Sequence, residues 1–389
     1  MHVVLFDIPE IRNSMLPFSA IRPLADMLIG MYTTRKRWEI LNGGPVFCLT
    51  ESYLEEIIPD QSGIHIYVCS NIIPDSHLQH EIMQLKPGGA IFYQDKLLAF
   101  SSERILNYGF NEEELSFNKT IIYNKQLVSI RYPHELVQFN AAQLLKDLTG
   151  RKEKQMLTYG LIHQGKHELI IEEGSKIEPC YINTDDGPVF IGKDVFIMAG
   201  SQLRGPLAIL EGAVVKMGTQ IYGGTTIGKH CIVGGEIKNT IMMDYANKAH
   251  GGYLGDALIG SWCNLGAGTS CSNLKNTSGE VRVWNQGSEE WVGAGLKCGV
   301  LMGDYARSAI NTSFNTGTVV GTGSQVIADG LTPKYIPDFT WDIQTNERYL
   351  SDKFLTVTES WMKFKQKELT EKERRVLLRL LSKHLNYNL

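Results

Sequence analysis

Between residues 191 and 233 every sixth position is aliphatic: Ile191, Ile197, Leu203, Ile209, Val215, Ile221, Ile227 and Val233. With aliphatics near a quarter of an ordinary sequence, such a run has a chance probability of roughly 10⁻⁵ per frame. The residue four places on is small or β-branched at Val195, Ser201, Ala213, Thr219, Thr225 and Cys231, and glycine follows the aliphatic at Gly192, Gly228 and Gly234. One inward aliphatic, one small corner residue and one turn-permissive glycine make a short flat strand and a bend. Three such units close a triangular coil, and stacked coils share a continuous dry core. The pattern predicts a parallel β-helix of hexapeptide repeats.

The pattern differs on either side. Apolar runs at 3–6, 46–49, 64–69, 90–93 and 97–100 read as strands, the last two joined by a tight turn at Gln94-Asp95. Helical stretches are expected from Arg22-Pro23 through Trp38, over 54–58 and over 76–85, giving an α/β domain with a largely parallel sheet over residues 1–132. Residues 133–168 read as a connecting helix, with Leu136, Val137, Phe139, Leu144, Leu145 and Leu148 at helical spacing, followed by a solvated linker starting with the basic run at 151–154. The β-helix is expected over 169–330. Its repeat loses phase around 239–245, recovers at Ile259 and Leu265, leaves the coil in a polar excursion over 272–279 and continues loosely to Val326. Residues 331–389 form a helical extension, with Thr370 and Glu373 as a capping box ahead of Val376, Leu377, Leu378, Leu380 and Leu381.

Composition adds constraints. At 389 residues the chain is long enough for two or three domains. A formal charge of −4 gives no electrostatic reason to expect nucleic acid or an anionic membrane as partner. The seven cysteines are scattered, with no Cys-x-x-Cys pair, so neither a disulfide framework nor a zinc knuckle is indicated. Cys231 and Cys271 occupy small-residue positions of the repeat and read as buried small hydrophobes. The opening, Met1-His2-Val3-Val4-Leu5-Phe6-Asp7, lacks the basic head and long apolar core of a signal peptide, and the expected location is the cytoplasm.

Chemistry concentrates where the repeat breaks: His250-Gly251-Gly252-Tyr253-Leu254-Gly255-Asp256-Ala257, then Asn264-Leu265-Gly266-Ala267-Gly268-Thr269 and Asn273. This segment resembles the acetyltransferase half of the bifunctional enzymes that make UDP-N-acetylglucosamine. The resemblance implies a left-handed β-helix, His250 as catalytic base, and Lys238, Tyr253, Asn264 and Asn273 as substrate-binding residues. It implies acetyl-CoA as acyl donor, an amino sugar phosphate as acceptor, and a homotrimer with the acyl-CoA site between neighbouring β-helices, the coils over 293–323 lining its groove. An amino sugar is largely an ammonium ion near neutral pH, so attack on a thioester needs a base with a pKa near 7 within hydrogen-bond reach. The position of the family's phosphate-binding arginine, one coil before Lys238, holds Gln220 here, followed by Tyr222; Arg204 on an earlier coil is the candidate substitute.

The N-terminal half lacks the glycine-rich nucleotide loop of the usual bifunctional enzyme. Its opening, with Asp7, Leu16-Pro17-Phe18-Ser19, Arg22-Pro23 and Thr33-x-Arg35-x-Arg37-Trp38, looks like a variant branch of sugar nucleotidyltransferase-like domains. That implies uridylyl transfer from UTP with Mg²⁺, for which Arg12, Arg22, Arg35 and Arg37 are the candidate phosphate contacts; pairing with carboxylates of the sheet is the competing role. The expected function is an acetyl-CoA-dependent glucosamine-1-phosphate N-acetyltransferase coupled to uridylyl transfer. The alternatives are acylation of a nucleotide-linked amino sugar, or a non-catalytic scaffold or sugar-nucleotide-binding protein. A β-helix zinc hydratase needs three converging histidines, whereas His230 and His250 are the only two between residues 168 and 383.

Overall fold

The computed structural model describes residues 2–58, 63–151, 160–345 and 347–385. The chain divides into two compact units, one of residues 1–15, 21–27 and 32–132, the other of residues 16–20, 28–31 and 133–389.

The first unit is built on a six-stranded mixed sheet in the order Val46–Leu49, His2–Phe6, His65–Cys69, Lys96–Ser102, Gly89–Tyr93, Lys119–Ile122. His2–Phe6 runs parallel to both its neighbours and Lys96–Ser102 antiparallel to both of its own. Gln94 and Asp95 take φ of 49° and 61°, the left-handed pair that matches strand twist in a two-residue hairpin. Val3, Val4, Leu5, Ile66, Tyr67, Val68, Trp38 and Leu78 fill the core. Two helical expectations are corrected. The stretch before Trp38 is broken into a short 3₁₀ turn (Leu24–Asp26), two-residue strands at Leu28–Ile29 and Tyr32–Thr33, and then a helix, Thr34–Asn42. Gly30 causes the break: its φ is 61° and its N–H is taken by Asn140 Oδ1 at 2.7 Å, a tertiary bond outside the reach of local periodicity. The stretch at 54–58 yields only a 3₁₀ turn at Ser52–Leu54.

The second unit is a parallel β-helix with three faces. The first face runs through Ile162–Gln164, Tyr181–Asn183, Gln202–Arg204, Gln220–Ile221, Glu236–Lys238 and Tyr253–Gly255; the second runs from Leu169–Ile171 to Tyr335–Ile336; the third runs from Lys176–Ile177 to Gln325–Val326. All eight hexad aliphatics point inward, none more than 2% exposed. The loss of phase has a plain geometric source. Val233 and Ile237 are both inward rungs on consecutive faces, four residues apart where the regular repeat has six, because Gly234 and Gly235 turn the corner alone. The excursion leaves at Asn273, returns at Cys298 and carries an antiparallel hairpin, Arg282–Asn285 with Glu290–Gly293. All seven cysteines are buried and free.

The connecting helix, Pro133–Leu148, lies along the second face. Its buried Asn140 donates to the Gly224 carbonyl at 2.8 Å and to Thr226 Oγ1 at 3.1 Å. Arg151 at its end is half-buried, its guanidinium 5.6 Å from the Phe190 ring; the rest of the expected linker charges, residues 152–154, lies outside the described residues. Two helices, Ser351–Phe364 and Glu371–Leu385, close the chain, and the capping box forms: the Thr370 N–H donates to Glu373 Oε2 at 2.9 Å and the Glu373 N–H to Thr370 Oγ1 at 3.2 Å. Among the described residues no helix is long and apolar enough to cross a membrane.

Candidate functional site

The turns between the third and first faces stack along one edge of the β-helix, and His250 stands exposed on one of them. Its backbone is held from both sides. The Glu236 N–H on the preceding coil donates to the Gly252 carbonyl at 3.1 Å, and the Gly268 N–H on the next coil donates to the Gly251 carbonyl at 3.2 Å. The coils approach so closely that a β-carbon on Gly252, at φ 114°, would sit 2.1 Å from the Thr269 carbonyl oxygen. Among the described residues no side chain hydrogen-bonds the His250 ring, which stays available to an external partner. His230, by contrast, is stacked 5.0 Å from the Tyr245 ring, and its carbonyl accepts from Lys365 Nζ at 2.9 Å, a structural role.

Lys238 and Tyr253 lie on adjacent strands of the first face, with Glu236 in register with Tyr253 and Lys238 with Gly255. Lys238 is exposed, its Nζ 5.7 Å from the centroid of Tyr222. The Tyr253 ring folds over Gly255, where an added β-carbon would meet the phenol oxygen at 2.2 Å. Burial, with the carboxylates of Asp256 and Glu236 adding to it, pushes the Tyr253 hydroxyl up to about 12. Asn273 Nδ2 donates to Tyr253 Oη at 3.1 Å and also to the Asp256 carboxylate, which in turn accepts from Asn239 Nδ2 at 2.7 Å. Asn239 and Asp256 sit at φ of 45° and 47°, left-handed corner positions that short polar side chains tolerate best after glycine.

Asn264 lies on the third face, the other wall of the same edge, in register with Asn247 before it and Arg307 after it. Alternation with the inward Leu265 turns its side chain outward. Four of the five sequence candidates thus fall on two faces and the turn between them, and the fifth, Asn273 at the start of the excursion, is joined directly to Tyr253. Sequence reasoning missed Asp256 and Asn239, which anchor Asn273; their signal was their place at successive corners of the first face. Arg204 is engaged elsewhere: its Nε meets the Asp186 carboxylate at 2.6 Å. Gln220 is in register with Glu236.

In the first unit the four arginines differ. Arg12 is buried, with Nη1 2.9 Å from Asp7 Oδ2 and from the Arg22 carbonyl oxygen. Arg35 makes a two-pronged pair with Asp26, at 2.7 and 2.6 Å, and a further one with Glu56 at 2.9 Å. Arg37 is buried 5.6 Å from the Tyr32 ring, and Arg22 is half-buried. Asp7, just past the end of the His2–Phe6 strand, is the hub. Its carboxylate also accepts from Thr50 Oγ1 and Ser70 Oγ, each at 2.6 Å, and from the Leu24 N–H at 3.2 Å. Those donors fill its lone-pair directions. Among the described residues no group of three His, Cys, Asp or Glu side chains is placed to hold a metal ion.

Residues 3–155 match the family model described as sugar nucleotidyl transferase. Over 143 residues the chain is 33% identical to the bifunctional protein GlmU of Methanocaldococcus jannaschii, covering 37% of this chain and 32% of the relative. Against that of Methanococcus aeolicus it is 29% identical over 217 residues, 55% of this chain and 46% of the relative. Against that of Trichormus variabilis it is 22% identical over 324 residues, 75% and 68% of the two chains. The matched stretch spans about a third to a half of the length of the first two relatives. The N-terminal family match and these similarities, at modest identity, support a GlmU-like family.

Proposed function

We propose that the chain is an acetyl-CoA-dependent N-acetyltransferase acting on glucosamine 1-phosphate, coupled to uridylyl transfer from UTP. The observation that carries this reading is the edge of the β-helix at which the exposed His250, the Lys238 ammonium and the bonded pair Tyr253–Asn273 occur on neighbouring coils. Acetyl-CoA supplies an acetyl thioester. The His250 imidazole takes one proton of the sugar ammonium and passes it to solvent, the freed amine attacks the thioester carbonyl, the N–C bond forms, and the C–S bond breaks as the nitrogen's second proton reaches the leaving thiolate, so that CoA departs as thiol. Lys238 meets the phosphate. Tyr253, held by Asn273, and Asn264 on the other wall orient the sugar so that the amine is in line.

A homotrimer fits this reading. Met217 and Ile310 each follow an inward third-face residue by two places, as His250 does, and stand 72% and 70% exposed along its edge. Apolar side chains so placed suit a neighbouring β-helix and an acyl-CoA groove between the two. Arg204, committed to Asp186, leaves Lys238 as the cation of this strand file nearest His250, which keeps a nucleotide-linked amino sugar open as the acceptor.

In the N-terminal unit the Asp7 carboxylate, already taken up by Arg12, Thr50, Ser70 and the Leu24 N–H, does not fit a ligand for Mg²⁺. Uridylyl transfer is tested by pyrophosphate release from UTP with N-acetylglucosamine 1-phosphate as the uridylyl acceptor. The acetyltransferase is tested by thiol release from acetyl-CoA with glucosamine 1-phosphate, comparing the intact protein with His250→Ala. Release by the former and not the latter supports the reading; no release by either, with UDP-linked amino sugars also inert, leaves a binding scaffold.

A further inference from the structure

The third face carries an anomaly two residues before His250. Its inward rungs read Ile177, Ile197, Val215, Val233, then Lys248, then Leu265. Lys248 is 1% exposed, a lysine in the dry core of a β-helix. Bringing an ammonium out of water costs several kcal/mol unless its protons are matched by acceptors. Here they are. Lys248 Nζ donates to the carbonyl of His250 at 2.7 Å, to that of Gly251 at 3.1 Å and to that of Gly234 at 3.4 Å. Three N–H groups meet three carbonyls, and none of these acceptors is a carboxylate.

The acceptors matter more than their number. Two are the carbonyls of His250 itself and of the next residue; the third belongs to the turn stacked beneath. The His250–Gly252 turn has two adjacent glycines, so its order rests on backbone bonds to the neighbouring coils rather than on glycine side chains. A methylene chain packed among the aliphatic rungs, ending in an ammonium, pins it from inside the coil. Equivalent turns at Gly218 and Gly268 have no such pin: the inward rungs before them are the aliphatics Val215 and Leu265.

We infer that Lys248 is a positioning residue for the proposed base: from within the core it fixes the carbonyls of His250 and Gly251, and so the direction in which the imidazole leaves the edge of the β-helix. The inference rests on the acetyltransferase reading for its functional meaning, while the pinning of the turn stands apart from it.

The test compares the full chain with Lys248→Met, whose side chain suits an inward rung, and with Lys248→Ala given n-propylamine to restore the amine. Amide hydrogen exchange is followed at residues 249–252 and, as reference, at 216–218 and 309–311. CoA release is measured alongside. In Lys248→Met we expect faster exchange confined to 249–252, a kcat lower by roughly 100-fold as expected for a misdirected catalytic group, and a KM for acetyl-CoA within about twofold. Propylamine should restore kcat to Lys248→Ala. Wild-type exchange at 249–252 in Lys248→Met overturns the pinning. Faster exchange with unchanged kcat overturns the positioning role. Loss of protection at all three turns, with no rescue by propylamine, makes Lys248 a general core residue and also overturns it. If the wild-type chain itself releases no CoA, the acetyltransferase reading fails, and the exchange comparison still decides whether Lys248 holds the turn.

Discussion

The side-chain amide of Asn273 donates to the phenol oxygen of Tyr253 at 3.1 Å, joining the first residue of the excursion to the coil that follows His250. The excursion is therefore tied to the site. Asp256 and Asn239 complete the chain of bonds, and Gly255 provides the bare backbone over which the tyrosine lies. Removing Asn273 leaves Tyr253 free to swing, and adding a methyl at Gly255 drives it off. Both Asn273→Ala and Gly255→Ala should raise the KM for the sugar acceptor by roughly tenfold, the value of a lost buried hydrogen bond near 1.4 kcal/mol. The KM for acetyl-CoA should stay within about twofold. Steady-state CoA release with each substrate varied in turn checks this; equal rises in both constants would show general disruption instead.

In the first unit, Asp7 and Arg12 are both almost wholly buried, 0% and 4% exposed at the side chain, and lie 2.9 Å apart. Asp7→Ala takes the carboxylate from Arg12 and from two buried hydroxyls at once. Breaking one partner out of a buried pair costs about 3–5 kcal/mol. Denaturant unfolding should show a first-unit transition shifted by that amount with the β-helix transition unmoved. A loss below about 1 kcal/mol would mean that the Arg22 carbonyl and Tyr53 Oη, which accepts from Arg12 Nη2 at 3.3 Å, suffice for Arg12.

What the sequence disclosed, and what it hid, follows from the range of the forces involved. Inward positions of the regular hexads were legible because each depends on its own neighbours in a fixed period. The Gly234-Gly235 corner erased that period by shortening one side of one coil, although Ile237 and Met242 remain fully buried rungs. Lys248 was hidden for a related reason: a charge at an inward position reads as an interruption. Only the preceding small residue Ala246, aligned with Cys231 and Ala213, marks it as a rung. The residues assigned with the β-helix unit at 16–20 and 28–31 were illegible because they are held by distant partners, as Gly30 is by Asn140. The candidate site was legible as residue types at a spacing; the bonds among Tyr253, Asn273, Asp256 and Asn239 needed coordinates.

His134, near the start of the connecting helix, is 5% exposed, and burial pushes its imidazole down to about 4. An unfolded chain takes up the proton near 6.5. Between those values the unfolded state binds more protons than the folded one, so stability falls as pH drops from about 6.5 toward 4 and is fully present above that window. The span corresponds to about 3 kcal/mol at most. His134→Gln should flatten the pH dependence of the β-helix unfolding midpoint in this window relative to wild type. Parallel curves for the two proteins would mean that His134 titrates alike folded and unfolded.

Arg307 gives the sharpest stability prediction, because its sign runs against intuition. It is 6% exposed on the third face, one coil beyond Asn264. Nη1 donates to the Tyr305 carbonyl at 3.2 Å, and the guanidinium lies 5.2 Å from the Trp361 ring. Nε and Nη2 have no hydrogen-bond partner among the described residues, and no carboxylate there pairs with the charge. Burial accordingly pulls its pKa down from the usual arginine value. One carbonyl and one aromatic face, the latter worth about 2 kcal/mol when desolvated, do not offset the cost of taking a full charge out of water. Arg307→Met keeps the packing stem and removes the charge, so the β-helix should gain about 1–4 kcal/mol, as buried ion clusters do when replaced by apolar side chains of similar volume. Trp361→Ala should do the reverse, stripping the guanidinium of its ring. Calorimetric melting of the two variants decides the matter: a lower midpoint for Arg307→Met would mean that the guanidinium is matched by acceptors such as ordered water, and that Arg307 holds the Ser351–Phe364 helix to the coil as a stabilising clamp.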